Sequence, residues 1–264
     1  MNRTAQQHLR SPLTLSLLSL SFCLLPPVSC LLPALAASPP TALHFAAPRL
    51  PEDPGEPGGR GRGGASRIPT CKPYRDFTAL VPIAQNKTKT LVWGLTTLDH
   101  PTFWFYLPQT LKAGMPLKFV LRDRDDNPLY ETTVQPPIPA GIIRVSLPHT
   151  TAPLKVNQSY RWGVSVQCDP ADAGALAWQE GSIQRVAGPT DLQESLKAAK
   201  TPLDRAIVYA ENGIWFEALN TLANEIQQHG TTDRAIVSAW TDLLKQGQLR
   251  SVTKGAIAPC CQLN

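Results

Sequence analysis

From Ser11 to Pro48 the chain carries no charged side chain, a gap that the surface of a folded globule would not leave. Arg3 and Arg10 precede the gap, and its apolar part ends in Ala34-Leu35-Ala36. A basic start, an apolar run and a small-residue cleavage site predict a secretory leader over residues 1–36. The densest apolar stretch, residues 13–25, falls short of the about 20 helical residues that span a bilayer, and Pro26-Pro27 interrupts it. Cleavage is therefore expected, with an uncleaved membrane anchor as the alternative. Cys30 has Pro27 where a lipoprotein site would carry Leu. The final Cys261-Gln262-Leu263-Asn264 loosely matches a prenylation box, a modification of cytosolic chains. The expected location is extracytoplasmic, in a periplasm or outside the cell, where thiols pair.

The marks of common catalytic chemistries are missing as well. No nucleophile elbow, phosphate loop, dinucleotide fingerprint or zinc helix occurs. Beyond the leader the histidines are His44, His100, His149 and His229, none with a companion at the spacing of local metal or catalytic motifs. A non-enzymatic protein without cofactor or metal is the expectation. Asp169 and Glu180 are the pair that a hydrolase reading would need. Arg122-Asp123-Arg124-Asp125-Asp126-Asn127-Pro128 could offer carboxylates to calcium, but it lacks the glycine and distal glutamate of a helix-loop-helix site. A solvated hairpin turn explains it more simply.

Charge of one sign is scarce too. The net charge is +5, and the leader contributes two arginines and no acid, so +3 remains on the 228 residues beyond it. That surplus gives no strong steering of polyanions, and nucleic acid is not an expected partner. Residues 37–70 are rich in Pro, Gly and Arg, closing on Gly58-Gly59-Arg60-Gly61-Arg62-Gly63-Gly64. Such a composition predicts a disordered linker, read here as a tether.

From Phe77 to Ala187 short apolar runs recur between turn signals, at 77–82, 91–95, 102–107, 117–122, 129–134, 142–147, 160–168 and 183–187. About eight strands at this spacing predict an antiparallel β-sandwich over 71–187, immunoglobulin-like in architecture. The clearest run, Tyr160 to Cys168, sets Tyr, Trp, Val, Val and Cys on one face. Cys71 and Cys168 bracket this body, and a bridge between them would close a loop of about 100 residues, worth up to about 4 to 5 kcal/mol in the chain-entropy model. The role of Cys260 and Cys261 in the tail is open. In Thr102-Phe103-Trp104-Phe105-Tyr106-Leu107 aromatics fall on both faces. With Phe103 and Phe105 inward, Trp104 and Tyr106 face the other way, either buried under the C-terminal helices or exposed as a platform for a sugar or protein.

Several segments then carry a resemblance. Cys71 with Phe77-Thr78-Ala79-Leu80-Val81-Pro82, Gly94-Leu95-Thr96-Thr97, Pro101 to Tyr106, Tyr160-Arg161-Trp162, Cys168-Asp169-Pro170 and Tyr209-Ala210-Glu211-Asn212-Gly213-Ile214-Trp215 follow in order. Over roughly residues 60 to 246 the chain resembles the exported cyanobacterial domain-of-unknown-function family 928. The resemblance implies a cyanobacterial envelope or secreted protein whose family has no assigned activity. The doubled Cys260-Cys261 is not part of that pattern.

Past Gly188-Pro189 the period changes to that of helices, at 191–200, 203–212, 215–228 and 233–245. Ala206, Gly213, Trp215, Ala218 and Leu222 fall where a tetratricopeptide repeat places its small and aromatic residues. One unit makes no solenoid groove. The expectation is an α+β protein in which a small tetratricopeptide-like hairpin subdomain, 188–247, packs on the sandwich and a tail covers 248–264. It would act by binding an envelope protein. A glycan bound at Trp104 and Tyr106 is the alternative, and membrane contact is expected through an uncleaved leader alone.

Overall fold

The computed structural model describes residues 42–50, 64–65, 69–85 and 90–258. The leader, most of the expected tether and Cys260-Cys261 lie outside the described residues. In chain order the strands are β1 (Gly64–Ala65), β2 (Thr78–Ala79), β3 (Ile83–Gln85), β4 (Thr90–Thr96), β5 (Thr102–Leu107), β6 (Leu117–Arg122), β7 (Pro128–Val134), β8 (Gly141–Ser146), β9 (Gln158–Gln167) and β10 (Leu176–Arg185). Four helices follow: α1 (Leu192–Ala198), α2 (Pro202–Glu211), α3 (Trp215–His229) and α4 (Arg234–Gln246). The protein is thus α+β, with two sheets and a set of helices. Among the described residues no helix is long and apolar enough to cross a membrane.

The larger sheet runs β3-β4-β10-β9-β6-β7, with β1 also paired to β10, and the smaller runs β2-β5-β8. Alternation in β9 buries Tyr160, Trp162, Val164 and Val166 on one side. From the smaller sheet Phe103 and Phe105 meet them. Phe103 lies 5.0 Å from the Phe119 ring and 6.2 Å from Trp162, and Phe105 lies 6.1 and 6.0 Å from the same two. Each such pair adds about 0.5 to 1.5 kcal/mol beyond the area it buries.

The pairing is not wholly antiparallel as expected, because β10 runs parallel to β4 from Ser182↔Trp93 to Arg185↔Thr96. No hairpin joins these two strands. All of β5 to β9 lies between them, so β10 enters the sheet in the direction of β4. The apolar run at 77–82 is also split. β2 joins the smaller sheet and β3 the larger, so the chain crosses between sheets at Leu80-Val81-Pro82.

Helix α3 lies over the outer side of the smaller sheet. Trp104 Nε1 donates to Asn220 Oδ1 at 3.2 Å, and Arg144 Nη1 donates to Asn224 Oδ1 at 3.1 Å. Two of the helices begin at side-chain caps, α2 at Thr201 and α4 at Asp233. Thr201 and Asp204 form a reciprocal capping box before α2, which satisfies two backbone donors at the helix start.

Two terminal segments are more ordered than composition suggested. Within the expected tether, Leu43 and Phe45 are buried and Phe45 meets the Trp215 ring edge-on at 5.0 Å. The Gln246 side chain grips this segment like a neighbouring strand, accepting from Phe45 N at 2.8 Å and donating to Leu43 O at 2.9 Å. Two apolar residues at period two suffice for this, and averaging over a proline-rich stretch hides them. In the expected tail, Ile142 donates to Ala256 O and accepts from Ala258 N, at 2.7 and 2.8 Å. Residues 256–258 thereby satisfy part of the free edge of β8.

Cys71, in a 3-10 turn, and Cys168, just past β9, form a disulfide with their Cα atoms 5.1 Å apart and 97 residues of separation. Because the bridge closes so long a loop, the Cys71→Ser/Cys168→Ser variant should lose up to about 4 kcal/mol of unfolding free energy. Urea titration measures this, and an unchanged midpoint would contradict the structural role.

Candidate functional site

The polar centre of the molecule is set by the first turn of α3. Trp215 Nε1 donates to Leu80 O at 2.8 Å, which anchors the helix at the crossing between the sheets. Two residues on, Glu217 is 3% exposed. Its Oε1 accepts from Thr97 N (2.6 Å), Leu98 N (2.9 Å), Thr96 Oγ1 (2.8 Å) and Thr97 Oγ1 (3.0 Å). Thr96 Oγ1 in turn accepts from Leu98 N at 3.1 Å. One carboxyl oxygen therefore holds the loop that joins β4 to β5.

Oε2 of Glu217 is buried without a partner. Burial pushes the carboxyl above the ordinary glutamate range, against the opposing pull of the Thr96, Thr97 and Leu98 donors.

Above this loop lies a cleft of about 620 Å³. Thr97 lies at its floor, Arg185 of β10 stands on one side, and Lys197 of α1 with Arg205 and Tyr209 of α2 close the other. Arg185 is fixed in place. It donates from Nε to Thr97 O at 3.2 Å and from Nη1 to Leu154 O, and its Nη2 lies 4.0 Å from Asp99. His100 donates to Asp99 and holds that carboxyl below its usual range. Lys197 and Arg205 are exposed. Leu98 and Val156, each 43% exposed, form an apolar rim. Burial, and then the nearby Glu217 carboxylate, push the Tyr209 phenol up, against an opposing pull from Arg205.

The residues singled out from sequence fall elsewhere. Cys71 and Cys168 are joined as a staple, away from any polar cluster. Trp104 and Tyr106 are no platform: Trp104 is 1% exposed under α3, and Gly255 passes against the half-buried Tyr106 ring. The alternative of a sugar site on Trp104 is therefore closed. Asp169 and Glu180 are not brought together. Glu180 sits opposite Gly163, about 13 Å from the end of β9 at Gln167, and Asp169 lies in the turn beyond that end. A glycosidase pair needs at most about 9.5 Å.

The segment 122–128 is the turn between β6 and β7, closed by Asp123, which accepts from Asn127 N and Nδ2 at 2.9 and 3.1 Å. His100 and His149 do meet, with rings 4.6 Å apart. Among the described residues no three His, Cys, Asp or Glu side chains converge as metal ligands.

Glu217 was not singled out from sequence, although a signal exists: it is a lone acid inside Trp215-Phe216-Glu217-Ala218-Leu219. Arg185, Lys197 and Arg205 carry no local motif, because the cleft joins them from three separate elements.

An α+β body with a buried carboxyl under a basic cleft is the class of protein that fold and site define. The chain belongs to the family described as Domain of Unknown Function (DUF928), whose match spans residues 62–257. No curated protein matches the chain. Among solved structures it is similar to a Parabacteroides merdae beta-glucuronidase, at 12% identity over 59% of this chain and 32% of that one, with a TM-score of 0.24. A family 76 glycoside hydrolase from a bovine Bacteroides thetaiotaomicron strain is 11% identical over 45% of this chain and 24% of that one, with a TM-score of 0.22. The chain spans a third or less of either enzyme. At TM-scores this low the likenesses say nothing about this fold or its chemistry.

Glu217 yields two expectations. Glu217→Ala strands two backbone donors and two hydroxyls, and should cost about 3 kcal/mol of stability. Glu217→Gln keeps the Oε1 acceptor and removes the charge. A carboxyl whose folded pKa is raised contributes stability fully below the unfolded value, and loses it as pH rises through the folded one. Melting temperatures should therefore move in favour of Glu217→Gln, relative to wild type, as pH rises above the ordinary glutamate range. A difference independent of pH would refute the upward shift of the Glu217 carboxyl.

Proposed function

We propose that this protein is an exported, non-enzymatic interaction module of the cell envelope, which holds an acidic segment of a partner protein in the cleft over Thr97 and Leu98. The observation that carries this reading is the lining itself. Arg185, Lys197 and Arg205 converge there, no carboxylate lines the walls, and Leu98 and Val156 stand exposed at the rim. Cations beside an apolar rim suit an acidic side chain that neighbours an aliphatic one. Asp99 behind Arg185 offsets part of the positive charge, which favours a single carboxylate over a polyanion.

Export is supported by the leader-like start and by the disulfide, which suits an oxidising compartment. In this reading the stacked sheets are a sandwich of immunoglobulin-like architecture, and α2 with α3 is a tetratricopeptide-like hairpin used for packing. Its Ala206, Trp215, Ala218 and Leu222 are all buried. The cleft is lined by α2 of that hairpin together with β10 and α1.

A photoreactive residue at position 156 of the full chain, activated in the native envelope, should yield a protein adduct. The same residue at position 131 on β7 should not, and Lys197→Glu/Arg205→Glu should abolish the adduct. Equal adducts at both positions, or adducts that survive the charge reversal, would overturn the proposal.

A further inference from the structure

A second surface, on the outer side of the larger sheet, is built differently from the cleft. Across this face the register aligns Trp178 of β10 with Ser165 of β9 and Lys118 of β6. One row further it aligns Glu180 with Gly163 and Val120. Two depressions, of about 240 and 180 Å³, adjoin here, and both are lined by Val120, Gly163 and Glu180.

Gly163 is the residue that packing does not explain. A strand interior disfavours glycine, which there marks a bulge or a place where something approaches the backbone. A Cβ on Gly163 would meet Val120 Cγ1 at 3.5 Å, an ordinary contact, and the backbone is not in the left-handed region. Gly181, one strand over, is the contrast. A Cβ there would come within 2.4 Å of the Trp162 ring and 2.5 Å of Val92 O. Packing demands the second glycine and leaves the first as an open floor.

Beside that floor stands Trp178, 36% exposed, whereas the other five tryptophans are each 3% exposed or less. The surrounding charges balance. Arg161 and Arg122 both pair with Asp126, at 2.6 and 3.8 Å, Lys118 pairs with Glu131 at 2.6 Å, and Glu180 brings a third carboxylate. A face with a flat indole, a dip beside it and no net charge does not suit an anion. It suits a ligand with an apolar flat side and many hydroxyls.

We infer that this face is a saccharide-binding site, in which a pyranose lies on the Trp178 indole and its neighbour settles over Gly163. The C–H side of the sugar meets the ring. Glu180, Arg161, Lys118 and Ser165 are placed to exchange hydrogen bonds with the hydroxyls. The site shares no residue with the cleft, so the two readings stand or fall separately.

Trp178 dominates the quenchable emission, so acrylamide quenching reports on this face. Cellotetraose or N-acetylchitotetraose should protect the emission of the full chain and give saturable heat by calorimetry. Gly163→Leu, which keeps Trp178 but fills the floor, should weaken both effects at least tenfold, while Gly163→Ala and Gly163→Leu leave the unfolding midpoint in place. Trp178→Ala should remove the heat. Binding of neither sugar, equal binding by the Leu variant, or protection of Trp178 by self-association in sedimentation would each overturn the assignment.

Discussion

The structure turns on one buried carboxyl. Glu217 takes four hydrogen bonds on a single oxygen and ties the β4–β5 loop to the start of α3. From the same helix Trp215 reaches the sheet crossing, Asn220 reaches β5 and Asn224 reaches β8. These positions step along one helix, so each polar bond also fixes how α3 rotates against the sheets. A purely apolar contact would leave that rotation less determined. Without the helix in register, the loop loses its anchor and the cleft loses its floor.

The remaining constraints reinforce this one. Facing aromatic rings hold the two sheets together, and the disulfide ties the turn before β2 to the end of β9. Segment 42–50 is held by α2 and α4, and 256–258 covers part of the free edge of β8. The cationic walls come from β10, α1 and α2, so the cleft exists only once the helices have packed on the sheet. The shape of the cleft and the stability of the α3 contact are therefore coupled through the 96–98 loop.

Periodicity made much of this legible. Strands at 102–107 and 117–122 lie at the positions the pattern gave, and all four helices begin within a residue of their expected starts. The failures occur where burial and polarity part company. In β10 the outward residue is Trp178 and the inward one is Gln179, whose Nε2 donates to Phe77 O at 2.9 Å. That inversion hid the first half of the strand, placing its start at 183 instead of 176. Glu217 escaped for the same reason, as an acid on a buried helix face. Parallel pairing of β4 with β10 leaves no local mark at all. Trp104 was legible as an outward residue of β5, but which layer covers it depended on how α3 docks.

The central claim is that the Glu217 carboxyl, rather than packing alone, holds the loop beneath the cleft. Amide hydrogen exchange at Thr97 and Leu98 tests it most directly, because both N–H groups end on that carboxyl. In Glu217→Ala these two amides should exchange at least tenfold faster, while those of β6 and β9 keep their protection. Unchanged protection at Thr97 and Leu98 would contradict the account.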